Sequence, residues 1–494
     1  MTSFPDASVQ QVDAALKAAQ IAFYAYKNVS GKKKAEFLRA VADQIEALGA
    51  ALLQTAMRET HLPEARIVAE RGRTTGHCRL FAALAEEGSW VDARVDTALP
   101  DRMPAPKPDI RKMLAPIGPV VVFGAANFPL AYSTAGGDTI SALAAGCPVI
   151  VKAHPAHPET SALVAAAIQQ AANQTGMPPA VFQHLFGAGF GVGHALVQHP
   201  LTKAVGFTGS PAGGKALFDL ACQRPEPIPV FAEMSSVNPV ILLPQSLATG
   251  FSKTASILAS SITLGVGQFC TSPGLIIGVE GEGLNRFIAA LAGEISNALP
   301  GTMLHQGIAD NYTSKSRQVL QQSGVHVEAQ AAEAGSAAQG RPMVASVQAK
   351  TFLKNPLLAE EVFGPFSLIV KCTDRNELHS VAAALHGQLT ASVFGEEAEI
   401  QQYQGLVNLL REKAGRLIAN GVPTGVEVCP AMNHGGPFPA TTDSRFTAVG
   451  ADAIKRFARP VAFQHFPDSL LPDELKNGNP LRIWRMMNGT WGRD

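Results

Sequence analysis

The chain has 494 residues, 46% hydrophobic and 16% charged, which is long enough for two or three domains and too apolar for a disordered chain. Forty basic residues cancel forty acidic ones, so neither the basic surplus of a nucleic-acid binder nor an acidic solvating tail is present. The six cysteines follow no metal or disulfide spacing, no apolar run is long enough to cross a bilayer, and Met1 to Ala7 lacks an apolar signal core; a cytoplasmic enzyme with no bound metal, no membrane and no nucleic-acid partner is the expectation.

Residues 8–28 place Val9, Val12, Leu16, Ala19 and Phe23 on one helical face, and Lys32 to Glu59 repeats the pattern through Leu38, Val41, Ile45, Leu48 and Leu52. A third helical run covers Pro63 to about Glu87. Residues 95–113 are rich in proline and charge and read as an extended, exposed excursion. Short apolar runs then alternate with helical ones. Strands are expected at Pro119–Gly124, Cys147–Lys152, Val181–Phe186, Lys203–Thr208 and Val230–Met234. This is the pattern of a doubly wound α/β sheet, whose ligands bind off the carboxyl ends of the strands. From Ser252 to about Ala431 the alternation resumes as a second α/β lobe, with a helix at Ala255–Leu264 and strands at 275–279, 366–371 and 390–394. Glu328 to Arg341, rich in Ala and Gly, reads as a surface loop. The tail from Val461, with Phe463, Phe466, Trp484 and Trp491, is β-like and is expected to pair with the excursion near residue 100.

One stretch carries the chemistry: Gly265-Val266-Gly267-Gln268-Phe269-Cys270-Thr271-Ser272-Pro273-Gly274. It holds Cys270 in a glycine-flanked connector between helix and strand. The residue is either a small buried hydrophobe or a nucleophile. A nucleophile needs an oxyanion donor and a base. Asn127, just past a strand end, can donate its amide, joined by the Cys270 N–H. Glu233, behind the apolar Val230–Ala232, is either a base or a surface acid. None of the thirteen histidines has an evident partner. Gly187-Ala188-Gly189-Phe190-Gly191-Val192-Gly193 follows a strand but misses the dinucleotide spacing, so it reads first as a tight turn and second as a phosphate cradle. Phe207-Thr208-Gly209-Ser210 leads into another helix start, with Ser210 at the cap, and is the better cradle; a capped helix without a ligand fits it nearly as well.

These residues, in this order, resemble the motifs of the aldehyde dehydrogenase superfamily: Asn127-Phe128-Pro129, Lys152, Phe207-Thr208-Gly209-Ser210, Glu233, Gly267-Gln268-Phe269-Cys270 and Glu361-Val362-Phe363-Gly364-Pro365. The resemblance spans nearly the whole chain. It implies two doubly wound α/β lobes and a small β oligomerisation subdomain. The implied parts are residues 1–94 and 116–240 for the cofactor, 241–440 for catalysis, and 95–115 with 441–494 for assembly into a homodimer or homotetramer. By the same resemblance Cys270 attacks an aldehyde, Asn127 and the Cys270 N–H hold the oxyanion, and Glu233 activates the water that hydrolyses the thioester. Lys152, Gly209, Ser210, Gly214, Glu361 and Phe363 bind the cofactor.

Two departures shape the expectation. Met234-Ser235-Ser236 follows Glu233 where the family commonly has Leu-Gly-Gly, which limits backbone freedom there. Pro155 stands where many NAD-using members carry Glu, so NADP is expected, with NAD also usable, and His154 or His157 are candidate helpers of Lys152. The Lys152–Pro158 run, Ala232–Pro239, Gly436–Arg445 and Asn479–Arg485 resemble the 2-oxoglutarate semialdehyde branch, which grades into NADP-dependent oxidisers of long-chain aldehydes. A distal substrate carboxylate needs a cation; Arg445 sits in a plausible loop and is equally readable as a surface residue. The rivals are a CoA-acylating enzyme and a cysteine hydrolase without a redox cofactor.

Overall fold

A computed structural model describes residues 4–493 of the chain. The first lobe is built on a five-stranded parallel sheet in the order Phe182–Leu185, Val149–Lys152, Val120–Phe123, Ala204–Thr208, Val230–Glu233. The runs are short and apolar because both faces are covered by helices. The strand order reverses at Val120–Phe123, so the crevice expected of such sheets opens off its carboxyl end. The amino-terminal helices pack around this lobe. Lys32 to Glu59 is two helices, Gly31–Ala47 and Gly49–Thr60; Gly49 turns left-handed (φ 55°) and breaks the run.

The second lobe holds seven strands. Their order is His326–Gln330, Met343–Gln348, Phe366–Cys372, Leu275–Val279, Val240–Leu242, Gln388–Phe394, Ala414–Ala419, parallel except for the first. Glu328 therefore lies on an edge strand rather than at the start of a surface loop. The helix before the cysteine begins at Pro244, well upstream of Ala255; its first half is polar enough to hide the pattern.

A third sheet joins chain ends that are far apart in sequence. Ala458–Gln464 runs antiparallel to Ile110–Pro116, pairing Val461 with Met113. Arg94–Asp96, Arg485–Met487 and Thr490–Gly492 complete five strands. The excursion near residue 100 thus does pair with the tail. No helix among the described residues is long and apolar enough to cross a membrane.

A short crossing joins the two large sheets. Glu233 closes the last strand of the first sheet, and Val240 opens a central strand of the second. Residues 234–239 make the crossing, so the carboxyl ends of one sheet face the amino ends of the other.

Candidate active site

Cys270 is placed by a helix that is forced to stop. Beyond Pro244–Thr263, the residues Gly265, Val266 and Gly267 all take left-handed backbone, at φ 54°, 58° and 64°. A Cβ on Gly267 would lie 2.3 Å from the carbonyl carbon of Gly364, so glycine is what lets the two loops touch. The chain then reaches Cys270 just before Leu275–Val279. Asn238 pins it there, donating its amide to the carbonyls of Cys270 and Ser272 at 2.9 Å each.

The sulfur has company. Cys270 Sγ lies 3.6 Å from His434 Nε2, and that nitrogen lies 3.1 Å from Glu233 Oε1. The reactive atoms of all three residues fall within 4.8 Å of one another. His434 reaches the site because its backbone N–H donates to Thr447 Oγ1 at 2.7 Å and because Gly436 lets its loop press against a strand. A Cβ on Gly436 would stand 2.1 Å from the Gln388 carbonyl oxygen. From sequence no histidine had a partner; the fold gives this one two.

Charge states follow from the surroundings. His434 Nδ1 is buried with no hydrogen-bond partner among the described residues, so the ring proton belongs on Nε2, where Glu233 accepts it. Burial works to raise the Glu233 carboxyl, but His434, with help from the Cys270 thiol and the Arg73 charge, holds the group below its ordinary range. Burial, together with that carboxylate, pushes the Cys270 thiol well above its ordinary value. The resting pair is a protonated thiol beside an ionised carboxylate. Glu233 Oε2 is buried with no hydrogen-bond partner among the described residues, which leaves one strong acceptor open. The Glu233 backbone does not swing freely: Gly209 N–H donates to its carbonyl at 3.1 Å and Met234 N–H to the Ala440 carbonyl at 2.9 Å.

Asn127 lies beyond the strand Val120–Phe123, and its amide donates to the Gln268 carbonyl at 3.1 Å, two residues before the nucleophile. The Cys270 backbone N–H makes no hydrogen bond among the described residues. These are the donors an oxyanion would use.

On the crevice side, Ser210 caps the helix Pro211–Cys222, its Oγ accepting from Gly213 N–H at 3.2 Å. Ser210, Pro211 and Ala212 are exposed. Gly214 lets that helix lie on the residue after Glu233, since a Cβ there would be 2.6 Å from Met234 Cγ. Lys152 is partly exposed at its strand end, and burial pulls its ammonium down. Glu361 and Phe363 are partly exposed; burial pushes the Glu361 carboxyl up to about 7, with Ser235 working against it. The Gly187 turn is a capped turn: Asp6 accepts from Ala188 N–H at 2.7 Å and Gly189 N–H at 3.4 Å. His157 is buried on the Ala125 carbonyl at 2.8 Å, and burial pushes the His154 ring down to about 3. Neither histidine is a ready cation for Lys152 to work with.

A model of the aldehyde dehydrogenase family matches residues 1–439. The chain belongs to this family. It is 50% identical over 486 residues to alpha-ketoglutaric semialdehyde dehydrogenase 2 of Azospirillum brasilense, covering 98% of this chain and 93% of that one. It is 48% identical over 488 residues to alpha-ketoglutaric semialdehyde dehydrogenase of Acinetobacter baylyi, covering 99% and 92%. The solved glyceraldehyde-3-phosphate dehydrogenase GapN of Methanocaldococcus jannaschii, complexed with NADP, superposes with a TM-score of 0.80 at 20% identity, covering 94% of this chain and 96% of that one. At that identity the likeness speaks for the fold.

An aldehyde dehydrogenase uses a nicotinamide dinucleotide, and the residues present fit one. An exposed helix start suits a phosphate, and Lys152 and Glu361 offer a donor and an acceptor for ribose hydroxyls. Glu233, Cys270 and His434 also form a donor set of the zinc kind. The guanidinium groups of Arg66, Arg73 and Arg416 all act on the Cys270 charge, and that field opposes a dication. Arg445 is no part of the site: its side chain is 80% exposed and pairs with Asp443 at 2.5 Å.

Proposed function

We propose that this aldehyde dehydrogenase oxidises 2-oxoglutarate semialdehyde to 2-oxoglutarate, preferring NADP and accepting NAD. The observation that carries the chemistry is the convergence of Cys270, Glu233 and His434, whose reactive atoms lie within 4.8 Å of one another. The substrate rests on two relatives, 50% and 48% identical over nearly the whole chain, that bear this name.

As the aldehyde arrives, the thiol proton passes to Glu233 and the sulfur bonds to the carbonyl carbon. The oxygen becomes an alkoxide held by Asn127 and the Cys270 N–H. Loss of hydride then leaves a thioester on the sulfur; a nicotinamide dinucleotide held by Lys152, Glu361 and the helix start at Ser210 would be the acceptor. Glu233 gives that first proton up to solvent and then takes one from water, whose oxygen attacks the thioester carbon. The C–S bond breaks, the acid leaves, and the thiol is restored. His434 steadies the carboxylate through both steps by donating to Oε1. A carboxylate base so placed favours water over CoA as acyl acceptor.

The NADP preference rests on Lys152 and Pro155. Asp6, whose charge reaches Lys152, is tied to two backbone N–H groups of the Gly187 turn. The small sheet leaves Phe466, Leu470, Leu481, Trp484 and Trp491 exposed, which suits a contact with a second copy; sedimentation as a monomer would overturn that. The free cysteines suit a reducing, cytoplasmic setting.

An aldehyde panel with both cofactors tests the assignment. The highest kcat/KM should fall on the five-carbon 2-oxo semialdehyde with NADP, and Cys270→Ala should abolish turnover while cofactor still binds. An optimum among long neutral aldehydes would overturn the substrate, and turnover by the alanine variant would overturn the nucleophile.

A further inference from the structure

The helix Glu64–Glu87 presents an unusual face to the reactive cysteine. Arg66, Glu70 and Arg73 stand at i, i+4 and i+7, one above another. A single carboxylate serves two guanidinium groups. Glu70 is buried, its Oε1 accepts from Leu130 and Ala131 N–H at 2.9 and 3.0 Å, and Arg66 Nη2 comes no closer to it than 3.4 Å. Whether Glu70 is ionised or not, this face keeps a surplus of positive charge.

The arginines differ in what they still have to give. Arg73 is tied to the Tyr132 hydroxyl at 2.9 Å. Arg416, across the site, holds the carbonyls of Pro423 at 2.8 Å and Gly425 at 3.3 Å. The remaining Nε of each is buried. Arg66 has only long contacts, to Glu70 at 3.4 Å and to the Asn127 carbonyl at 3.5 Å. Its side chain keeps 16% exposure, and its guanidinium lies against two rings, 4.3 Å from the centre of Phe128 and 4.4 Å from that of Phe269. Phe128 follows the oxyanion amide and Phe269 precedes the nucleophile. The cation is therefore fixed beside the reacting atoms on apolar walls, with N–H groups to spare. Four carbon–carbon bonds separate the aldehyde carbon from a distal carboxylate in a five-carbon chain, an extended span of about 5 Å.

We propose that Arg66 is the specificity residue that receives the distal carboxylate of the substrate, while the rings of Phe128 and Phe269 hold its guanidinium in place. The assignment rests on the semialdehyde reading above and says which residue enforces it. A guanidinium pairs two N–H groups with a carboxylate, which an ammonium cannot reproduce.

The test compares kcat/KM for the carboxylate-bearing semialdehyde with that for a neutral aldehyde of the same length, in wild type, Arg66→Met and Arg66→Lys. The wild-type ratio should be large. In Arg66→Met it should fall about 10- to 100-fold, the range set by losing a hydrogen bond to a charged group, chiefly through KM for the anionic substrate; Arg66→Lys should recover part of it. The ratio is internal to each preparation, so loss of folded protein does not move it. A large wild-type ratio that survives in Arg66→Met overturns the Arg66 assignment and leaves the substrate reading standing. A wild-type ratio near one overturns both.

Discussion

The Glu233 carboxyl is 3% exposed, and a buried carboxyl ordinarily keeps its proton. Its pKa is lowered here chiefly by His434, whose Nε2 lies against it, with Cys270 and Arg73 helping. The sign of the pH effect follows. A depressed pKa means the base form is available above that pKa and is lost as pH falls through it. Removing the imidazole leaves only Cys270 and Arg73 to oppose burial, so the pKa rises. His434→Ala should therefore move the acid limb of the kcat/KM profile to higher pH, with His434→Asn between it and wild type. Superimposable profiles would show that the histidine does not tune Glu233. Cys270, Glu233 and Asn127 were legible because each stands in a recognisable local setting: a glycine-flanked loop or an apolar strand end. His434 was not, since its partners lie 164 and 201 residues away. The signal available was local only: Asn433-His434-Gly435-Gly436, just before a motif already singled out.

Strands were legible where the chain alternates cleanly between buried runs and helices, as from Val120 to Glu233. Val240–Leu242 escaped because it is three residues long and follows Asn238-Pro239, a turn signal. Met343–Gln348 was hidden behind an Ala/Gly-rich loop. The loop after Pro244–Thr263 depends on glycine in two ways at once, a positive φ and a backbone neighbour. Gly267→Ala adds a Cβ 2.3 Å from Gly364 at φ 64°. It should cost at least about 2 kcal/mol of stability, read as a lower denaturation midpoint, and should reduce oxidation more than cofactor binding, because the displaced loop carries Cys270. Wild-type stability and rate would show that this contact does not set the loop.

At the scale of the whole molecule, the site exists because two sheets are joined by the short crossing at 234–239. Glu233 ends one sheet, Cys270 precedes a strand of the other, and His434 returns from beyond both. The first sheet supplies the base and the crevice, and the second supplies the sulfur. A change at the base should therefore slow both half-reactions, and hydrolysis the more, because it is the half that needs water activated. The most direct measurement is a single mixing of Glu233→Gln with saturating semialdehyde and NADP, following reduced nicotinamide and the mass of the Cys270 peptide. Reduced nicotinamide that rises more slowly than in wild type, because glutamine cannot take the thiol proton, and levels near one per Cys270 with an acyl group held on the sulfur, is the predicted result. Steady turnover at the wild-type rate, with Cys270 unmodified, would contradict the account.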